Sequence, residues 1–169
     1  MSAANVVGLD LSIAATGCCH PGGEVETWRY AAKHGDVRLC YIADEVEASA
    51  MTCPDLVVIE DLPTHAHGAG ITGMVHGAVR TVLLELAVPY ALVPPATLKK
   101  YATGKGNADK TAMALALYKR TGLELADDNQ VDAWWLRAAG LHHLGQPVVD
   151  LPAAQVEALD KVEWPEATS

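Results

Sequence analysis

Two short apolar runs, Val6-Val-Gly-Leu-Asp10 and Leu56-Val-Val-Ile-Glu60, each end on a carboxylate, the pattern of a buried strand that delivers an acid at its last residue. In open α/β sheets, ligands gather outside the carboxyl ends of the strands. Taken singly, either acid is an ordinary polar strand end. Asp127, Asp128 and Asp132 change the weighing, because the four-residue step from Asp128 to Asp132 places both on one helix face. Asp127 or Asp128 can cap that helix. Asp132 cannot: it lies inside the helix, before Ala133-Trp-Trp-Leu136. A buried-side aspartate without a basic partner is costly unless it holds a cation or shifts its pKa. Four converging carboxylates (Asp10, Glu60, Asp128 and Asp132) repel one another unless a hard, oxygen-preferring divalent cation, magnesium or manganese, lies among them. Two such ions about 3.5–4 Å apart activate water and stabilise the leaving oxygen of a phosphodiester, which is nuclease chemistry.

The second chemically informative stretch runs from Pro94 to Arg120. It holds six basic residues (Lys99, Lys100, Lys105, Lys110, Lys119 and Arg120) against the single acid Asp109, a local charge of +5. Gly104-Lys-Gly106 fits neither a P-loop nor a dinucleotide fingerprint, since both would need glycine at Asp109. A glycine-flanked loop leading into a helix still presents backbone N–H groups and lysines to phosphates. On charge alone a solvated helix face explains the stretch equally well. Other polar candidates carry less: His65 and His67 read as exposed loop residues, Trp134-Trp135 as core or dimer packing, and Arg80 as a DNA or dimer contact at the same end as Glu60.

The elements that must position these groups follow from pattern. After the strand ending at Asp10, residues 17–20 and 25–30 flank the turn Pro21-Gly22-Gly23 as a hairpin. Asp36 is placed to cap a helix to about Met51, and helices follow over about 72–87, 95–101, from Asn107 or Asp109 to Arg120, and from Asp127 or Asp128 to about His143. Pro89 to Val93 forms another strand. Three antiparallel-capable strands followed by alternating helix and strand predict an α/β fold: a mixed five-stranded sheet with helices on both faces. The polar stretch 150–169, with Pro152 and Pro165, is expected to be partly disordered.

Composition bounds the rest. The 169 residues favour one domain with one real core. A net charge of −9 argues at face value against a protein that coats nucleic acid, but 150–169 contributes −4 and the four candidate acids another −4, leaving the basic stretch intact. Cys18, Cys19, Cys40 and Cys53 show no CxxC pair, so free thiols in a reducing compartment are expected, Cys18 and Cys19 as small core residues. No uninterrupted apolar run reaches about 18 residues and no leader pattern opens the chain, so neither export nor a membrane is expected.

Taken in order, Val-Val-Gly-Leu-Asp10-Leu-Ser, Val-Val-Ile-Glu60, the stretch Pro95 to Lys110 with Thr-Gly-Lys-Gly-Asn-Ala-Asp-Lys, and Asp128-Asn-Gln-Val-Asp132-Ala resemble RuvC-type Holliday-junction resolvases of the ribonuclease H-like superfamily over about residues 5–145. The glycine-rich segment 65–80 resembles phage-encoded members more than cellular ones. The resemblance implies a ribonuclease H-like nuclease domain over residues 1–149. It implies a homodimeric, magnesium-dependent endonuclease, with manganese able to substitute, that nicks four-way DNA symmetrically and leaves 5′-phosphate and 3′-hydroxyl ends. Such an enzyme would work in the cytoplasm of a bacterial or phage-infected cell. Asp10, Glu60 and Asp132 would be metal-binding catalytic acids, Lys110 would contact or polarise phosphate, and Lys99, Lys100 and Lys105 would bind DNA with it. Two departures stand out. The family's fourth acid falls at Asn129, so Asp128 is assigned that role, and the aromatic that wedges into the junction has no counterpart in Asp61-Leu-Pro-Thr64. The alternatives are a branched-DNA-binding protein with degenerate acids, or an actin-like phosphotransferase sharing the Gly-Leu-Asp10 opening. The latter would need a second phosphate loop and a larger second lobe, and neither is present in the sequence.

Overall fold

The computed structural model describes residues 3–62 and 69–166. Five strands, β1 (Val6–Asp10), β2 (Ala15–Cys19), β3 (Val25–Arg29), β4 (Leu56–Glu60) and β5 (Tyr90–Val93), form one mixed sheet in the order β3-β2-β1-β4-β5. The hairpin strands pair antiparallel, with Asp10 opposite Gly17 and Cys18 opposite Glu26. β4 and β5 join parallel to β1, with Leu9 opposite Ile59 and Glu60 opposite Val93. The expected α/β architecture is therefore present, and β1 and β4 bring Asp10 and Glu60 to the same end of adjacent strands.

The helices are α1 (Val37–Ala50), α2 (Ala69–Glu85), α3 (Pro95–Thr103), α4 (Lys110–Thr121), α5 (Asp128–His143) and α6 (Ala153–Val156). Strand alternation divides the apolar runs between the two faces of the sheet. Val6, Leu56 and Val58 pack with α3, α4 and α5, whereas Val7, Leu9, Val57 and Ile59 pack with α1 and α2. The continuous apolar strands are thus buried on both sides, as central parallel strands must be.

α5 lies unusually close to the sheet, and glycine permits it. A Cβ on Gly8 would stand 2.1 Å from the Ala133 carbonyl oxygen, and one on Gly17 would stand 2.1 Å from that of Asn129. Neither contact leaves room for any side chain. Because Gly8 and Asp10 are two residues apart, they face the same way, so the close approach that seats α5 on Gly8 also brings its first turn over Asp10.

Caps settle two helix starts. Asp127 has extended backbone and its carboxylate accepts from the Gln130 N–H at 3.0 Å; Thr27 Oγ1 and Arg29 Nη2 of β3 donate to its other oxygen at 2.8 and 2.5 Å. Asp109 likewise caps α4, accepting from the Ala112 N–H at 2.8 Å. Asp36, expected to cap α1, makes no such bond, because its backbone is already helical (φ −73°, ψ −14°).

The stretch after Asp150 corrects an expectation. Leu151, Ala158, Leu159 and Val162 are buried against the α3–α4–α5 side, and Gln155 Nε2 donates to the Tyr101 carbonyl at 2.8 Å. Arg120 Nη1 donates to the Asp150 carbonyl at 2.8 Å. The polar sequence concealed an apolar set that precedes α6 and continues through and past the following 3₁₀ turn, so residues 150–166 do not fray but close this side of the core. Trp134 and Trp135 are buried, and Trp135 Nε1 donates to the Met113 carbonyl at 3.3 Å, which makes them core. No helix among the described residues is long and apolar enough to cross a membrane.

Candidate active site

Asp10, Glu60 and Asp132 arrive from β1, β4 and one turn into α5 and act on one another. Burial, then the charges of Asp132 and Asp128, push the Asp10 carboxyl up to about 7. Glu60 is pushed up to about 8 by burial, then by Asp10 and Asp132. Asp132 is pushed up to about 6 by burial and then by Asp128, while Lys99 and Lys110 oppose the rise. Three largely desolvated acids that disfavour each other's charge form a site in need of positive charge. Among the described residues, no three of these acids have their oxygens within 4.8 Å of one another.

The two first-turn residues of α5, Asp128 and Asn129, take different places. Asp128, 38% exposed, forms an ion pair with Lys110 at the first position of α4, which is 78% exposed. Asn129 turns toward the strands: with its amide oriented to satisfy its surroundings, it donates to Asp10 Oδ2 and to the Ala15 carbonyl, each at 3.3 Å. Asn129 therefore sits against the central acid as a neutral donor, whereas Asp128 adds charge at the rim and holds the lysine.

The basic stretch also separates into parts. Lys99 on α3 lies close enough to lower the carboxyls of both Glu60 and Asp132, and Lys110 acts on Asp10 and Asp132. Lys100 is exposed and, one residue on, points away from Lys99. Lys105 lies beyond the left-handed Gly104 (φ 85°) that ends α3, and lines a groove between α3 and α4 with Lys119 and Arg120. Arg120 is held by the C-terminal segment, so it serves structure there.

Arg80 corrects its expected position. Its Nε donates to the Tyr90 hydroxyl at 3.1 Å, and Tyr90 opens β5 opposite Val57, at the other end of the sheet from Glu60. His65, His67 and most of the segment after Glu60 lie outside the described residues. His76 on α2 was missed by sequence reasoning; it is buried, its Nδ1 has no hydrogen-bond partner, and burial lowers its pKa while Asp61, the neighbour of Glu60, opposes that. A lone helical histidine gives no sequence signal for that placement.

The donor set is oxygen-rich and net negative, which fits hard divalent cations and not soft ones. Asp10, Glu60 and Asp132, with Asp128 or Asn129 at the margin, would be the groups to hold such an ion.

No protein-family model and no curated protein matches the chain. Solved structures do. The structure of Thermus thermophilus RuvC superposes with a TM-score of 0.69 at 21% identity, covering 86% of this chain and 99% of that one. T. thermophilus RuvC in complex with Holliday junction substrate gives 0.71 at 20% identity, covering 87% and 99%. Over most of its length, the chain has a RuvC-like fold of the ribonuclease H-like α/β class.

Proposed function

We propose that this protein is a divalent-metal-dependent endonuclease that resolves four-way DNA junctions. It acts as a homodimer in the cytoplasm and leaves 5′-phosphate and 3′-hydroxyl ends. The observation that carries the reading is the set of three buried-side acids, from two adjacent strand ends and α5, held between Lys99 and Lys110. Support comes from the RuvC-like fold and from a similar structure solved with a Holliday junction.

Asp10, Glu60 and Asp132 would hold magnesium or manganese, two ions per site, with Asp128 contributing at the rim. The bound cations supply charge neutralisation at the scissile phosphate and a lower pKa for water. The chain's own groups do the rest. Lys110 leaves Asp128 to meet a phosphate oxygen, and its ion pair with Asp128 keeps it poised beside the acids until DNA arrives. Lys99 tempers the charge of Glu60 and Asp132 from the other side. Lys99, Lys100 and Lys105 bind flanking phosphates without reading sequence.

One observation favours a second reading. Asn129 is a neutral amide where the resemblance expects an acid, as in a branched-DNA-binding protein that has lost catalysis. Incubating purified protein with a synthetic four-way junction and magnesium separates the two. The nuclease reading expects nicks that Asp10→Asn abolishes; a junction that is bound but left intact, with no manganese binding by calorimetry, supports the binding protein instead.

A further inference from the structure

A second group of ligand-type side chains lies on the opposite face of the sheet from Asp10. In the β2–β3 hairpin Cys18 pairs with Glu26, and His20 follows Cys18 by two residues, so alternation turns all three to the α1 side. His20 Nε2 and Glu26 Oε1 are 2.7 Å apart. Cys18 Sγ stands 3.9 Å from both ring nitrogens of His20, and the three ligand atoms all lie within 4.8 Å of one another. No other trio of histidine, cysteine or acidic residues among the described residues is gathered this tightly.

The bland account is a core thiol beneath an exposed histidine–glutamate pair. The geometry adds one feature to that account: the sulfur has long 3.9 Å contacts to both ring nitrogens and is drawn to neither alone. The floor and the rim also differ in a useful way: Cys18 is fully buried, while His20 and Glu26 are 33% and 50% exposed, which leaves one side open to solvent.

We propose that Cys18, His20 and Glu26 bind one borderline-soft divalent cation of the zinc class, with solvent as the fourth ligand. A sulfur, an imidazole nitrogen and a carboxylate oxygen form a mixed donor set that suits zinc, whereas magnesium favours the oxygen alone. With Zn–S about 2.3 Å and Zn–N and Zn–O about 2.0–2.2 Å, a tetrahedral site has S···N and N···O edges of roughly 3.5 and 3.4 Å. The observed 3.9 and 2.7 Å lie on either side of those values, within reach of small side-chain rotations. Thiolate and carboxylate together neutralise a dication. The site would clip the edge strand β3 to β2. Thr27 and Arg29 of that strand hold the Asp127 cap of α5, so the clip also supports the helix that carries Asp132.

The test uses the full chain, reduced and stripped of metal, with Cys40→Ser and Cys53→Ser removing the exposed thiols. Titration with cobalt(II) should give a near-ultraviolet thiolate-to-cobalt charge-transfer band that saturates at one ion per chain and is displaced by zinc. Asp10→Asn should keep the band, since the carboxylate site offers no sulfur. Cys18→Ser should abolish it, and the exposed substitutions His20→Ala and Glu26→Gln, whose folding is checked by circular dichroism, should weaken zinc binding at least about tenfold. No charge-transfer band, or a band that survives Cys18→Ser, or unchanged zinc affinity in both rim variants, would overturn the proposal.

Discussion

The two faces of one sheet carry opposite chemistry only a few residues apart. On the α5 side, Gly8 and Gly17 admit a helix so closely that Asn129 and Asp132 come over Asp10, and the result is an oxygen-rich, mutually repelling cluster. On the α1 side, the β2–β3 hairpin presents Cys18, His20 and Glu26 beside apolar neighbours, a sulfur–nitrogen–oxygen trio. Strand alternation alone makes the division: Asp10 and Gly8 face one way, Leu9 and Cys18 the other. Which face a strand residue occupies decides which side chains meet, and their donor atoms decide which cation suits them.

Breaking the carboxylate side should have the largest effect. Asp10→Asn, Glu60→Gln and Asp132→Asn are each expected to reduce junction nicking by more than about 100-fold, beyond the usual loss for a partner outside the metal's coordination shell. Cobalt charge transfer at Cys18 should survive in all three. A smaller effect is expected from lifting α5. Gly17→Ala forces a Cβ against the Asn129 carbonyl and should cost about 1–3 kcal/mol in denaturant unfolding, with weaker manganese binding. Gly77→Ala, where a Cβ meets nothing within 4 Å, should leave both unchanged or slightly raise stability.

Among the lysines, the contrast is between rate and affinity. Lys110→Ala should slow single-turnover nicking about tenfold or more while junction affinity changes little; Lys99→Ala and Lys105→Ala should instead each lower the salt slope of binding by about one. Equal effects from all three would reduce the stretch to a generic basic face.

The smallest effect concerns pH. Asp10, Glu60 and Asp132 have folded-state pKa values of about 7, 8 and 6 against ordinary values of 3.8, 4.5 and 3.8, so the folded protein binds their protons more tightly than the unfolded chain does. Their contribution to stability is full below about pH 4 and is lost as pH rises through about 6 to 8. In chelator, the melting temperature should fall across that window, and Asp10→Asn should remove part of the fall. A melting temperature that rises there contradicts the electrostatics of the site.

Much of this was legible in the sequence. The apolar runs ending on Asp10 and Glu60 announced two strand ends, and the Asp128–Asp132 spacing announced a shared helix face. What the sequence withheld is explained by packing. It showed glycine at positions 8 and 17 without showing that α5 needs the space. It left Asp127 and Asp128 as equal caps, because only the hydrogen bonds from Thr27 and Arg29 select Asp127. It placed Arg80 beside Glu60, because helix pattern does not say how far along a strand a helix residue lies. It also read 150–169 as frayed, since Leu151, Leu159 and Val162 are apolar positions scattered among acids and prolines and become a core only against α3 and α4.

The central claim is that the Asp10–Glu60–Asp132 edge hydrolyses branched DNA. The most direct test is strand-resolved mapping of nicks on a four-way junction labelled on each strand in turn, with magnesium and excess protein. The account predicts paired nicks at symmetric positions in two opposed strands, resealed by ligase, and none with Asp10→Asn. An intact junction, or the same nicks made by Asp10→Asn, would contradict it.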